Sequence, residues 1–374
     1  MKKILFFVES FQCGGAERSL LSLLNNLDYS GYEVRIMVVK KGGEFEKFVP
    51  SHLKVEKVDF TLGLLSRMKY KIARFLDSSK KYHKAQLFWK SIKSDVPYVE
   101  DKFDIAISWG QGFATYFVAE RVNADKKFAW VNIDYKKAGY DWQTDLSIYE
   151  KFNTIVGVSV FVKEAMQEFI APEKVISIRN IIDAVDIIQR AQEPISLTFD
   201  KDVLNIVSVG RLAKQKGFEL AVKAAEQLKD NGLAFKWYII GEGPERAFLE
   251  SLINECQLQN HVVLLGLIDN PYPYIKQCDI YVQSSWFEGL GRTIIEAGIL
   301  CKPIVTTDFP TAYAILDHEK TGLIIPMTSE AIASSIQMLI SDSDLKNRLV
   351  KNLEMQSDTE KQKTLDDVKR LFDN

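Results

Sequence analysis

Two carboxylates, Glu288 and Glu296, stand eight positions apart in the run Ser284-Ser285-Trp286-Phe287-Glu288-Gly289-Leu290-Gly291-Arg292-Thr293-Ile294-Ile295-Glu296. The run follows a short apolar segment ending in polar Gln283 and leads into residues with helical apolar spacing. Glu288 therefore falls in a loop and Glu296 about a turn into a helix. Both can face the crevice at the carboxyl end of a parallel sheet, where open α/β sheets bind ligands. Gly289, Leu290 and Gly291 offer backbone N–H groups at the helix N-terminus, which suits an anion. Acids beside a phosphate site do not hold the phosphates themselves; they suit the hydroxyls of a sugar and a ribose. The plain structural alternative is that Glu288 favours the helix dipole and Glu296 is a solvated surface acid.

A second group lies upstream, in Val207-Ser208-Val209-Gly210-Arg211-Leu212-Ala213-Lys214-Gln215-Lys216-Gly217. Gly210 ends a strand, and Arg211 and Lys216 then place two cations before a helix beginning near Phe218. Arginine can grip a diphosphate with two parallel hydrogen bonds, and lysine adds a point charge. A third group, Gln12-Cys13-Gly14-Gly15-Ala16-Glu17, opens the first helix; paired glycines let a ligand approach the backbone. A tight turn with no ligand is the bland reading of that pair.

These groups need a scaffold that alternates strands and helices, and the chain supplies it. Strands are expected at 3–8, 33–39, 105–109, 128–132, 154–158 and 175–178, then at 204–209, 236–240, 262–265, 280–283, 304–307 and 323–325. Helices are expected at 16–27, 113–121, 160–168, 218–230, 245–256, 272–277, 293–300 and 331–340. The polar stretch 183–202, with Pro194, reads as a linker. The fold class is thus α/β, with two Rossmann-like doubly wound domains and a cleft between them. The first spans 1–190 and the second 203–358, and a charged C-terminal segment 359–374 has helical apolar spacing.

Bulk properties narrow the function. At 374 residues the chain is too long for one ordinary core. Its 47% hydrophobic and 26% charged residues are those of a globular protein, and a net charge of −2 argues against nucleic-acid partners. The four cysteines form no CxxC pair and the four histidines are dispersed, so neither a disulfide framework nor a metal site is expected. Met1-Lys2-Lys3 followed by Ile4–Val8 reads as a first strand rather than a leader. The dispersed cysteines make a reducing cytoplasm the expected setting, and no run reaches the roughly 18 apolar residues that span a bilayer.

The three motifs together resemble the retaining glycosyltransferases of the GT-B fold, family 4, most strongly over about 204–326. The Glu-x7-Glu pair and the Gly-Arg-Leu-x-x-x-Lys-Gly run both match the family's pattern. The resemblance implies Arg211 and Lys216 on the donor diphosphate, Glu288 on the donor sugar and Glu296 on the ribose. It implies further donor contacts from Gly14, Gly15, Gly289, Leu290, Gly291 and Thr293, and backbone contact near Ile268 with the nucleobase. Arg211, Lys216 and Glu288 are the catalytic candidates. No metal and no cofactor are expected, since no DxD motif is present and the two cations would neutralise the phosphates. The last helix is expected to cross back onto the N-terminal domain.

One departure concerns the first domain. Many members carry a histidine where Ala129-Trp130-Val131-Asn132-Ile133-Asp134-Tyr135 places Asn132, which cannot titrate. Asn132, Asp134 and Tyr135 are the acceptor-side candidates, and the aromatic stretch 135–142 is a further acceptor surface. Residues 67–93 hold nine Lys/Arg against the single acid Asp77, with aromatic residues interleaved. That composition suits an anionic membrane surface on the inner leaflet or a solvated basic face. The implied function is transfer of a hexosyl unit from a nucleotide-diphosphate sugar, a UDP-sugar, to a glycan or lipid-linked acceptor in bacterial surface polysaccharide synthesis. A nucleotide-sugar 2-epimerase and a catalytically inactive partner of the same fold are the alternatives. A Rossmann dehydrogenase fits poorly, because no GxGxxG follows the first strand.

Overall fold

A computed structural model describes residues 1–374 apart from 13, 80, 196, 198, 356–359 and 374. The chain divides into two compact units, Met1–Ile181 with Glu360–Asn374, and Ile182–Thr359. Each is built on one all-parallel sheet in which apolar runs pair side by side, as sheets covered on both faces require.

The first unit has seven strands: β1 Lys2–Ser10, β2 Tyr32–Lys40, β3 Val55–Lys57, β4 Lys102–Trp109, β5 Asn123–Val131, β6 Thr154–Gly157 and β7 Val175–Ser177. Their order across the sheet is β3-β2-β1-β4-β5-β6-β7, so the chain winds outward in both directions from β1. The central residues Ile4–Phe7 are fully buried, and Phe7 stacks on Phe117 with ring centroids 4.2 Å apart. Six helices connect these strands: α1 Gly15–Asn26, α2 Leu64–Leu76, α3 Lys84–Ile92, α4 Phe113–Arg121, α5 Trp142–Tyr149 and α6 Val160–Gln167.

The second unit repeats the plan with β8 Leu204–Val209, β9 Phe235–Ile240, β10 Val262–Gly266, β11 Ile280–Gln283, β12 Ile304–Thr307 and β13 Leu323–Ile325, ordered β10-β9-β8-β11-β12-β13. Its helices are α7 Ala184–Arg190, α8 Phe218–Asp230, α9 Arg246–Glu255, α10 Tyr272–Gln277, α11 Arg292–Ile299, α12 Ser329–Ser341 and α13 Ser343–Glu354. The strand order reverses beside β8 and β11, the switch point where such sheets bind ligands. The last helix, α14 Glu360–Asp373, belongs to the first unit. Phe372 is fully buried against Phe6 and Tyr32, and the Tyr32 hydroxyl donates to Asp373 at 2.8 Å. Residues 359 and 374, the ends of the expected C-terminal segment, lie outside the described residues.

The expected fold class is the observed one. Two corrections concern boundaries. The first unit ends at Ile181, not 190, and 183–202 is not simply a linker: Asp183 caps α7 by accepting from the Asp186 N–H, and Arg190 and Asn270 tie that helix to the second unit. The strand β3 went unread because it is a three-residue edge strand with no buried residue. The helices α2, α3, α5, α7 and α13 also went unread.

Candidate functional site

Arg211, Lys216 and Glu288 to Thr293 lie on two neighbouring segments of the second unit, joined by glycine geometry. Gly217 adopts a left-handed φ of +58°, and a β-carbon there would lie 2.1 Å from the Ser284 carbonyl oxygen. Only glycine lets the turn after β8 abut the end of β11 so closely. The contact is sealed by Ser284 Oγ donating to the Lys216 carbonyl at 2.9 Å, the Trp286 N–H to the Gln215 carbonyl at 2.8 Å, and Gln215 Nε2 to the Phe287 carbonyl at 2.9 Å. Behind it, Gly241 passes under Gly210, where a β-carbon would meet the Gly210 carbonyl at 1.9 Å.

This stitching brings residues 72 positions apart into one ion pair. Lys216 Nζ lies 2.6 Å from Glu288 Oε1. Gln283 Nε2 (3.0 Å) and Ser285 Oγ (2.7 Å) donate to the same oxygen. No described residue hydrogen-bonds Glu288 Oε2. The Thr293 and Tyr281 hydroxyls both donate to Gln283 Oε1 at 2.9 Å, which fixes the orientation of the amide that holds Glu288. Thr293 thus also bears on Glu288 through Gln283.

Glu296 is buried within α11, where Tyr272 Oη donates to its Oε1 at 3.0 Å and Arg292 Nε at 2.8 Å. The plain alternative of a solvated surface acid is therefore excluded. Gly291 caps α11 at φ +69°, and the first-turn N–H groups of a helix have no intrahelical acceptor. Gly289 and Leu290 precede it in the same buried turn. Arg211 is exposed just beyond β8 and forms no ion pair with any described residue. Ile268 lies in the loop after β10, partly buried. That loop is braced by α7: Asn270 Nδ2 donates to the Arg190 carbonyl at 2.8 Å, and the Arg190 guanidinium lies 5.4 Å from the Tyr272 ring centroid.

The first unit holds the other candidates. Gly14 is the N-cap of α1, and a β-carbon on it would strike the Glu17 carboxylate at 2.2 Å, so Glu17 folds over that helix start. Gly15 has open space beside it; Cys13 lies outside the described residues. Asn132 follows β5 directly, and its Oδ1 accepts from Asn180 Nδ2 at 2.9 Å. Its Nδ2 is buried and without a partner among the described residues. Asp134 caps the turn that follows, accepting from the Lys137 N–H at 3.1 Å.

Tyr135 requires a correction. It is fully buried and its hydroxyl, like that of Tyr116, donates to Asp145, while its ring stacks on Tyr140. Burial pushes the Asp145 carboxyl up despite these two donors. Tyr135 and Tyr140 are thus core of the first unit, not an acceptor surface. The basic stretch 67–93 likewise splits in two. Leu87, Trp89 and Ile92 on α3 are core, while α2 stays at the surface; Lys80 lies outside the described residues.

Sequence reasoning missed Gln283, Tyr272 and Arg292. Only the polar end of β11 hinted at Gln283, and Arg292 stood in the motif without a role. Nothing local signalled Tyr272, which reaches Glu296 from a separate helix.

Residues 189–355 match the family model described as glycosyl transferases group 1. Among curated proteins, the chain is 33% identical over 187 residues to the Campylobacter jejuni N-acetylgalactosamine-N,N'-diacetylbacillosaminyl-diphospho-undecaprenol 4-alpha-N-acetylgalactosaminyltransferase, covering 49% of each chain. It thus spans about half the length of that relative. It is 24% identical to the lipopolysaccharide core biosynthesis glycosyltransferase LpsD of Rhizobium meliloti, over 90% of this chain and 88% of that one. The solved structure of Anabaena HepE in complex with UDP and glucose superposes with a TM-score of 0.72 at 18% identity, covering 100% of both chains. Staphylococcus aureus TarM, solved with UDP bound, gives 0.71 at 15% identity, again over 100% of both. These structural likenesses speak to the fold.

Proposed function

We propose, from the match of residues 189–355 to the family model of glycosyl transferases group 1, that the chain transfers a hexosyl unit from a UDP-sugar to a glycan or lipid-linked acceptor, with retention of anomeric configuration. The observation that carries this reading is the Lys216–Glu288 pair of 2.6 Å beside the N-terminus of α11. It places a cation, a carboxylate with an uncommitted oxygen, and a helix start at the switch point of one sheet. A diphosphate is held by Arg211, Lys216 and the first-turn N–H groups. Glu288 Oε2 accepts from a donor-sugar hydroxyl and Glu296 from the ribose.

As the bond between the sugar C1 and the diphosphate oxygen breaks, negative charge grows on the leaving phosphate. Fixed cations and helix-end donors aimed there lower the barrier without reorganising. The acceptor oxygen bonds to C1 on the same face, and its proton passes to the departing phosphate. The cations do what a metal would do elsewhere, so transfer proceeds in the presence of a chelator.

Relatives support the acceptor class. The Campylobacter jejuni protein is named for a diphospho-undecaprenol acceptor and the Rhizobium meliloti protein for lipopolysaccharide core synthesis. UDP in the Anabaena structure supports the donor base. Calorimetry with UDP, GDP and dTDP tests the reading: UDP binds and the other two bind more weakly. Absence of binding by all three refutes it.

A further inference from the structure

The helix α2 (Leu64–Leu76) carries an apolar face that nothing in the first unit covers. Leu64, Leu65, Met68, Ile72, Phe75 and Leu76 are all exposed, from 52% at Met68 to 83% at Phe75. At about 100° per residue these six fall within an arc of roughly 120°. The opposite side is the seated one: Ser66 is buried, Ala73 is partly so, and Tyr70 packs on Phe88 of α3 with centroids 5.1 Å apart. Flanking the apolar arc stand Arg67, Lys69, Lys71 and Arg74, with no acid between 64 and 76 and no ion pair to any described residue.

An exposed apolar stripe with cations on both borders is the pattern of a helix lying in a membrane interface, apolar side down. We propose that α2 docks the first unit onto an anionic lipid surface, inserting Leu65, Met68, Ile72 and Phe75 among acyl chains while the four cations meet headgroup phosphates. Charge selects this occupant. A second copy of the helix would oppose four more cations across the same face, whereas an anionic bilayer offers both apolar depth and negative charge. No helix among the described residues is long and apolar enough to cross a membrane, so the contact is an in-plane one.

Sedimentation of the full chain with phosphatidylcholine vesicles, with and without phosphatidylglycerol, tests this. The chain pellets with anionic vesicles and less so as salt rises. The exposed double substitution Ile72→Glu/Phe75→Glu abolishes pelleting with thermal unfolding unchanged. Lys69→Gln/Lys71→Gln weakens it about 25-fold, from about fivefold per cation. The proposal is overturned if the native chain stays in the supernatant, if neutral vesicles bind it equally, or if Ile72→Glu/Phe75→Glu pellets undiminished. It is also overturned if light scattering shows that variant converting a dimer to a monomer. Vesicle binding needs no donor sugar, so either outcome leaves the transfer reading to stand or fall on its own test.

Discussion

Replacing Lys216 by methionine keeps the aliphatic stem against Gly210 and removes the ammonium. Glu288 then loses its counter-charge at 2.6 Å but keeps Gln283 and Ser285 as donors, at 3.0 and 2.7 Å. The side chains are only 17% and 9% exposed, so water replaces the ammonium poorly. Because two of the three donors remain, the loss sits near the lower end for a charged hydrogen bond, about 2 kcal/mol. In a unit of this size that is a fall of about 6 °C in melting temperature. The catalytic loss is of a different order. One preorganised charge aimed at a leaving phosphate is worth about 100-fold in turnover, and the lost charge–phosphate contact weakens UDP about 10- to 100-fold. Calorimetry with UDP and nucleotide release from a UDP-sugar measure both, with exposed Lys223→Met as the control. A double-mutant cycle with Glu288→Gln separates the pair from the rest, since the residues touch and their effects cannot add. A variant that melts lower yet binds UDP and turns over as the parent does would make the pair purely structural and refute the reasoning.

Other outcomes follow from the same geometry. Gly217→Ala drives a β-carbon into the Ser284 carbonyl at 2.1 Å from a φ of +58°, costs about 3 kcal/mol in urea unfolding, and weakens UDP by moving Lys216 from Glu288. Tyr272→Phe leaves Glu296 with Arg292 alone, costs about 1 kcal/mol, and raises the donor KM while kcat holds. Burial, reinforced by Lys84, pushes the His83 imidazole down from 6.5 to about 4, and its Nδ1 accepts from the Ala85 N–H at the start of α3. The unfolded chain therefore binds the proton first: stability is full above pH 6.5 and is lost as pH falls towards 4. The full shift of about 2.5 units at 1.36 kcal/mol each would give about 3.4 kcal/mol, and because the ring is only partly buried, solvent screening cuts the loss to about 1–2 kcal/mol. His83→Asn keeps a capping acceptor that cannot titrate, and the fall in urea midpoint across that range becomes shallower than in the parent.

Periodicity made the scaffold legible. The strands are short runs rich in apolar and β-branched residues, and all six strands of the second unit are where those residues placed them. The glycine-ended loops and their cations were legible for the same reason: the chemistry sits within a few residues of the strand that carries it. Elements whose reason for existing is remote were not. The short β3 is an edge strand, and α7 is a seven-residue helix that buries only Ile187 and braces Asn270. The aromatic residues 135–142 have a composition shared by core and binding surface, and nothing in the sequence distinguishes a tyrosine that meets a glycan from one whose hydroxyl meets Asp145.

The sequence alone determined the α/β class, the two loops at the switch point and the identity of the charges on them, because these depend on local pattern. Tertiary structure alone decided that Lys216 meets Glu288 across 72 residues, that Tyr272 and Arg292 hold Glu296, and that of one basic stretch α3 is core while α2 stays bare. Pairing and burial depend on what a distant segment brings to the same place, and one-dimensional spacing carries no record of that.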